Sequence, residues 1–138
     1  FGTLEHAPLT YLHHSYPLEE MVALYLAADV LLVTALRDGM NLVAKEYVAT
    51  RIDDRGVLVL SEFAGASDEL RDAVLVNPHD IEGLKKSILL ALEMPEAEQA
   101  ERMKTMRSSV RFNSVSKWSA EFLESLSRCA SSLEVPNE

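Results

Sequence analysis

The chain has 138 residues, of which 48% are apolar and 25% are charged, a composition that suits one folded domain with an apolar core. Its formal net charge is −9, from 22 acidic and 13 basic residues, and the bases are scattered, which argues against nucleic acid as a partner. No apolar run approaches the roughly 18 residues of a membrane-crossing helix, so we expect no membrane partner.

The first half of the chain alternates apolar runs with amphipathic stretches and turn residues, which predicts alternating strands and helices. Residues 9–14 are expected to form a strand, and Pro17 lies where a helix can begin. The uninterrupted apolar run at residues 30–34 is typical of a strand buried on both faces. A polar loop at residues 37–39 follows, and a helix is then expected at residues 41–50.

The second half repeats this pattern and then becomes helical. Strands are expected at residues 56–60 and 73–76, with a short helix capped by Ser67 between them. Asp80 is the expected N-cap of the next helix, which Pro95 ends while opening a polar helix. The order of strands and helices predicts an α/β fold, a Rossmann-like parallel sheet with helices on both faces, plus C-terminal helices.

The last helix is expected from residue 115, with Val115, Trp118, Phe122 and Leu126 on one face. This face packs either in the core or against another domain. If the face is exposed, it could drive self-association, so a homo-oligomer is among the expected partners. Residues 131–138 are expected to form a flexible tail, which leaves residues 1–130 as the domain.

The start of the chain and its single cysteine bear on its context. The chain opens with Phe1, so we expect an excised piece of a longer protein whose domain is incomplete at the N-terminus. Cys129 is the single cysteine, so no internal disulfide can form, which fits a reducing compartment such as the cytoplasm. The four histidines show no zinc spacing, so no metal site and no cofactor are expected.

The loop after the apolar run at residues 30–34 is the candidate site, because ligands of open parallel sheets bind beyond the carboxyl ends of strands. A helix that begins there presents unpaired N–H groups, expected at residues 41–44, to a phosphate or diphosphate. Gly39 would remove a side chain where the ligand must come close. Asp38, at the tip of the loop, would accept hydrogen bonds from hydroxyl groups.

Glu46 is the second carboxylate of this segment. It follows Leu42 by four residues and Val43 by three, so it shares their helix face, roughly 6 Å further along the axis. A carboxylate there can accept both hydroxyls of a ribose. The residues alone leave the alternative open that Asp38 and Gly39 form an ordinary loop and that Glu46 is a solvated helix residue.

The segments around this loop carry a family resemblance. The run at residues 36–46, LRDGMNLVAKE, resembles the signature of trehalose-6-phosphate synthases. The runs VLSEFAGA at residues 59–66 and VNPHD at residues 76–80 resemble the same family in the same order, as does the final helix. The similarity extends over essentially the whole chain.

The resemblance implies the C-terminal half of a GT-B fold, in which two Rossmann-like domains face a cleft. The C-terminal domain would bind UDP-glucose, and an N-terminal domain outside this chain would bind glucose 6-phosphate. The implied reaction gives trehalose 6-phosphate and UDP, retains the α-configuration and needs no metal. This piece alone, without the acceptor domain, is expected to be inactive.

The resemblance also implies the roles of individual residues. Asp38 would position the donor glucose and is the one catalytic candidate, although not as a nucleophile or general base. Gly39, Met40 and Asn41 would assist through backbone groups, and Leu42 and Val43 would lend amides to the diphosphate. Glu46 would hold the ribose. The full set of expected substrate-binding residues is Tyr16, Asp38, Gly39, Met40, Asn41, Leu42, Val43 and Glu46.

Two other functions are compatible with the sequence. One is a related transferase with the same donor half, such as a glucosylglycerol-phosphate synthase, and the acceptor domain would decide between the two. The other is a non-catalytic module that binds a nucleotide sugar. The presence of Asp38, Gly39 and Glu46 together argues against a decayed site.

Overall fold

A computed structural model describes residues 8–132 of the chain. Three strands and five helices occupy this range, with one 3₁₀ turn at Gly65–Asp68. In chain order the elements are α1 (Leu18–Ala27), β1 (Val30–Val33), α2 (Leu42–Thr50), β2 (Val57–Ser61), β3 (Val74–Val76), α3 (Ile81–Glu93), α4 (Glu96–Phe112) and α5 (Val115–Ser132).

The three strands form one parallel sheet in the order β1-β2-β3. Val30 pairs with Val57 at one end of the register between β1 and β2, and Val59 pairs with Val74 between β2 and β3. Because parallel neighbours need a crossover connection, a helix or a longer segment separates each pair of strands. The predicted α/β class with a parallel sheet is confirmed.

The two faces of the sheet are covered by different helices. On one face, Leu58 and Leu60 of β2 pack in a cluster that includes side chains of α1, α2 and α4. On the other face, Val57 and Val59 pack against β3 and against Ala91 of α3. All five residues of β2 are buried, so the central strand matches the continuous apolar run that its sequence shows.

A buried arginine joins the ends of α1 and α2. Arg51 is 3% exposed and donates hydrogen bonds to the carbonyl oxygens of Tyr25, Leu26, Ala28 and Arg55, at 2.8 to 3.2 Å. Its guanidinium therefore satisfies carbonyl groups that the end of α1 leaves without intrahelical partners. This role of Arg51 was not predicted from the sequence.

Several predicted elements were wrong or need correction. Residues 9–14 form no strand, because a strand needs a partner for its backbone groups and none of the described residues pairs with them. β1 is not buried on both faces, since Leu32 is 45% exposed. Ser67 does not cap a helix. It lies inside the 3₁₀ turn, which Ala64 precedes, and its hydroxyl donates to Glu62 O.

Helix α5 presents an apolar face without a covering element among the described residues. Its predicted start at Val115 is confirmed, and Trp118 and Phe122 stack with ring centroids 5.4 Å apart. The four predicted apolar side chains of this face are nevertheless all more than half exposed. The predicted tail, residues 131–138, lies mostly outside the described residues. No helix within residues 8–132 has the length and apolar character to cross a membrane.

Candidate functional site

The loops that follow β1 and β2 lie side by side at the carboxyl edge of the sheet. The backbone N–H of Asp38 donates to Phe63 O at 3.3 Å, and the N–H of Gly65 donates to Asp38 O at 2.9 Å. A side chain at Gly65 has no room, because its Cβ would lie 2.2 Å from Gly39 O. The first of these loops is the candidate site predicted from the sequence, and the second completes it.

The carboxylate of Asp38 is held within its own loop. Oδ1 accepts hydrogen bonds from the backbone N–H groups of Met40 and Asn41, both at 3.1 Å, and Oδ2 accepts from Asn41 Nδ2 at 2.9 Å. The Met40 amide and then the Asn41 side chain hold the pKa of Asp38 below its usual value. Asp38 therefore stays ionised and fixes the loop, and Oδ2, which accepts only one of these hydrogen bonds, keeps acceptor capacity for a ligand hydroxyl.

Asn41 shapes the start of α2. Its backbone has the left-handed conformation, with φ 66°, and its side-chain Oδ1 accepts from the N–H of Ala44 at 3.0 Å as the N-cap. The amides of Asn41 and Ala44 are thus already paired, contrary to the expectation of four free groups. Only Leu42 and Val43, of residues 41–44, have N–H groups that find no acceptor within the described part of the chain.

A cavity of about 270 Å³ opens between the two loops. It is lined by residues 37–39 and 62–65, together with Ser67 and Asp68. Gly39 faces open space, since a Cβ built on it would meet no atom within 4 Å. Nothing in the described fold therefore requires glycine at this position, and its backbone can be approached closely from outside.

Glu46 lies on the exposed face of α2, as predicted, with the exposed side chains of Leu42 and Val43. One of its carboxylate oxygens, Oε2, accepts a hydrogen bond from the hydroxyl of Tyr25 at 3.0 Å. Burial raises the pKa of Tyr25, and the hydrogen bond to Glu46 is the second cause; the pKa reaches about 12. Tyr25 is therefore a neutral donor at physiological pH, and the structure leaves Glu46 Oε1 open.

The structure does not join every predicted residue to this site. The ring of Tyr16 lies against that of His14 at an interplanar angle of 39°, with ring centroids 4.1 Å apart, and no hydrogen bond between described residues links Tyr16 to the loop. The ammonium group of Lys45, on the same helix as Glu46, pairs with Glu69 at 2.7 Å. Among residues 8–132, no group of three or more potential metal ligands comes together.

Some residues of the site were not predicted from the sequence. Arg37, Ser67 and Asp68 line the cavity, and Tyr25 contacts Glu46 from a different helix. Arg37 could have been identified from the sequence, because it lies between an apolar strand and the helix that follows. The contact between Tyr25 and Glu46 could not be predicted from the sequence, because 21 residues separate them. The position of Tyr25 on α1 indicated only packing in the core.

A parallel sheet with its candidate site at the carboxyl ends of the strands defines the class of Rossmann-like α/β domains. The family model of glycosyltransferase family 20 matches residues 1–128, and the chain belongs to this family.

Curated relatives and solved structures support the assignment. The chain is 55% identical over 126 residues to a trehalose-6-phosphate synthase of Mycolicibacterium vanbaalenii, covering 91% of this chain and 26% of that protein. The crystal structure of an α,α-trehalose-phosphate synthase (UDP-forming) from Burkholderia vietnamiensis matches with a TM-score of 0.89 and 43% identity, over 99% of this chain and 30% of that one. The chain spans about a quarter of the length of the curated relatives it matches.

Two further structures have bound ligands. The E. coli protein bound with UDP-2-fluoro glucose is 42% identical, with a TM-score of 0.86 over 91% of this chain and 28% of that chain. A UDP-forming α,α-trehalose-phosphate synthase from Burkholderia xenovorans, in complex with glucose-6-phosphate, is 46% identical, with a TM-score of 0.87 over 92% of this chain and 28% of that chain.

Proposed function

We propose that this chain is the donor-binding part of a retaining glucosyltransferase that transfers glucose from UDP-glucose to glucose 6-phosphate. The products are trehalose 6-phosphate and UDP. The observation that carries the proposal is the start of α2, where the amides of Leu42 and Val43 find no acceptor among the described residues. The loop that leads into this helix start lines the cavity with Asp38 and Gly39. Glu46 follows one turn later on the same exposed face.

The diphosphate of the donor is assigned to the N–H groups of Leu42 and Val43. A helix start favours an anion because its amides point outward and its dipole is positive there. The chain is acidic overall, with a net charge of −9, so this local array of donors carries the attraction. Stabilising the charge that develops on the departing UDP is the main catalytic contribution of such an array.

The donor glucose is assigned to the cavity between the two loops. The loop keeps the carboxylate of Asp38 ionised. This carboxylate accepts hydrogen bonds from hydroxyl groups of the sugar and so positions the glucose. Gly39 leaves the approach open, and Met40 and Asn41 keep the carboxylate oriented. This role needs no covalent nucleophile, and the acceptor would attack from the same face that the diphosphate leaves.

The ribose is assigned to Glu46 and the uracil to the neighbourhood of Tyr16. Glu46 Oε1 accepts no hydrogen bond from the described residues and is free to accept the ribose hydroxyls. Tyr16 is partly buried just before α1, and its backbone is the group proposed to contact the base. The proposed location of the protein is the cytoplasm, which agrees with a single cysteine.

The exposed face of α5 is proposed to meet the acceptor domain of the full-length enzyme. In this chain alone, the same face is expected to pair with a second copy, because Val115, Trp118, Phe122 and Leu126 are all exposed. Light scattering of the chain at increasing concentration tests this expectation, and a mass that stays monomeric throughout would contradict it.

The assignment is tested by titrating the ¹⁵N-labelled chain with UDP-glucose and with GDP-glucose. We expect millimolar affinity, roughly 4 kcal/mol, because the remainder of the enzyme is missing. Amide shifts should centre on residues 38–46 and should be larger with UDP-glucose. Addition of glucose 6-phosphate should give no trehalose 6-phosphate. Shifts confined to other parts of the chain, or equal shifts with both donors, would contradict the proposal.

A further inference from the structure

Tyr25 is a buried tyrosine whose polar end reaches the candidate site. Its side chain is 3% exposed and packs edge-on against Tyr47, with ring centroids 6.1 Å apart. Its hydroxyl nevertheless emerges from the core at Glu46, which is exposed on α2. Phenylalanine has the same ring without the hydroxyl, so the contact with Glu46 is the feature of this position that requires tyrosine.

The contact acts on one oxygen of the carboxylate and leaves the other available. Tyr25 donates to Oε2 at 3.0 Å, whereas Oε1 accepts no hydrogen bond within residues 8–132. Glu46 also forms no ion pair with the described cations, and its neighbour Lys45 pairs with Glu69. A long, exposed glutamate would otherwise sample several rotamers, and holding one of them costs conformational entropy.

Tyr25 is itself fixed at both ends. Its backbone carbonyl accepts from Nη1 of the buried Arg51 at 3.1 Å, which ties the end of α1 to the end of α2. Its ring is enclosed in the core cluster between α1 and α2. The hydroxyl is therefore presented to Glu46 by a rigid support, which is what a preorganised binding group requires.

We propose that Tyr25 is a positioning residue that holds the carboxylate of Glu46 ready for the ribose diol of the donor nucleotide. This inference rests on the function proposed above. Tyr25 does not touch the nucleotide. It fixes the rotamer of Glu46 in advance, so that both ribose hydroxyls find their acceptor without a further ordering cost.

The test compares UDP with 2′,3′-dideoxy-UDP, which lacks both ribose hydroxyls. The ratio of the two dissociation constants is the diol preference, and NMR titration of the 138-residue chain measures it. We expect a preference of about tenfold or more in the unchanged chain and its loss in Glu46→Gln. Tyr25→Phe should lower the preference by about three- to tenfold, through weaker UDP binding, with dideoxy-UDP binding unchanged.

Tyr47→Phe is the matched control, because Tyr47 is equally buried and its hydroxyl donates to Ala28 O at 3.3 Å instead. Its diol preference should equal that of the unchanged chain. A second measurement needs no substitution: the ¹³Cζ resonance of Tyr25 should move on addition of UDP and not of dideoxy-UDP. It keeps the proposal testable if Tyr25→Phe does not fold.

The outcomes separate the two proposals. If Glu46→Gln loses the diol preference and Tyr25→Phe keeps it, the inference about Tyr25 is overturned while the donor site stands. If Tyr25→Phe weakens both nucleotides equally, its role is structural and the inference is also overturned. If the unchanged chain shows no diol preference, the assignment of Glu46 to the ribose fails, and the role of Tyr25 fails with it.

Discussion

The two ends of α2 are built in opposite ways. At the C-terminal end, Arg51 satisfies four carbonyl oxygens, and Arg107 bonds to Arg51 O and to Asp54. At the N-terminal end, the amides of Leu42 and Val43 find no acceptor within residues 8–132, and their side chains are exposed. Buried polar groups normally find partners, so the C-terminal end is expected to contribute to stability, whereas the N-terminal end is the proposed ligand site.

This contrast explains why the two ends should respond differently to substitution. A change at the C-terminal end should lower the free energy of unfolding and affect binding only through the fold. A change at the N-terminal end should alter binding while the fold persists.

Arg51→Ala is expected to have the largest effect on stability. It leaves buried carbonyl groups at the end of α1 without donors, so the free energy of unfolding should fall by roughly 3 kcal/mol or more. Urea denaturation measures the change. Arg55→Ala is the control, because Arg55 is exposed and its side chain has no hydrogen bond within the described residues. Equal decreases in the free energy of unfolding for both substitutions would contradict a special role of Arg51 in stability.

Two glycine substitutions, Gly65→Ala and Gly39→Ala, separate effects on stability from effects on binding within the site. Alanine at position 65 would collide with Gly39 O, and overpacking of this kind costs about 1–3 kcal/mol in the free energy of unfolding. Alanine at position 39 meets open space and should change stability by less than about 0.5 kcal/mol, while it weakens UDP-glucose binding. Thermal unfolding and NMR titration measure the two effects. Unweakened binding in Gly39→Ala would argue against close approach of a ligand there.

Tyr25, which contacts both halves of α2, provides the smallest expected effect. Its pKa of about 12 should fall towards the ordinary 10.0 in Glu46→Gln, although burial should keep it raised. Because the folded-state pKa exceeds the unfolded one, its contribution to stability is complete below pH 10 and declines as the pH rises towards 12. ¹³C NMR of the tyrosine ring measures the pKa. In the control Glu62→Gln, the pKa of Tyr25 should not change.

The sequence predicted the elements that rest on local rules. The apolar run of β2 and the N-cap of Asp80 are confirmed, because burial and capping depend on neighbouring residues. The strand at residues 9–14 was wrong, because alternation of residue types does not show whether a pairing partner exists. The exposure of Leu32 was missed for the same reason, since it depends on what covers the sheet.

The candidate site was predictable in part. The local sequence reveals a loop that follows an apolar strand and leads directly into a helix. This pattern pointed to residues 38–46 as the candidate site. The sequence could not show that Asn41 adopts a left-handed conformation and caps α2, so that two amides of residues 41–44, and not four, are without an acceptor in the described part of the chain. Nor could it show the contact between Tyr25 and Glu46, because long-range side-chain pairs depend on how α1 and α2 pack.

The most direct test of the central claim compares UDP with uridine in the ¹⁵N spectrum of the chain. Uridine has the base and the ribose but no phosphate. The account predicts that UDP shifts the amide resonances of Leu42 and Val43 strongly, whereas uridine at the same concentration leaves both nearly unchanged. Equal shifts with the two ligands, or no shift of these two amides at saturating UDP, would contradict the claim that the start of α2 binds the diphosphate.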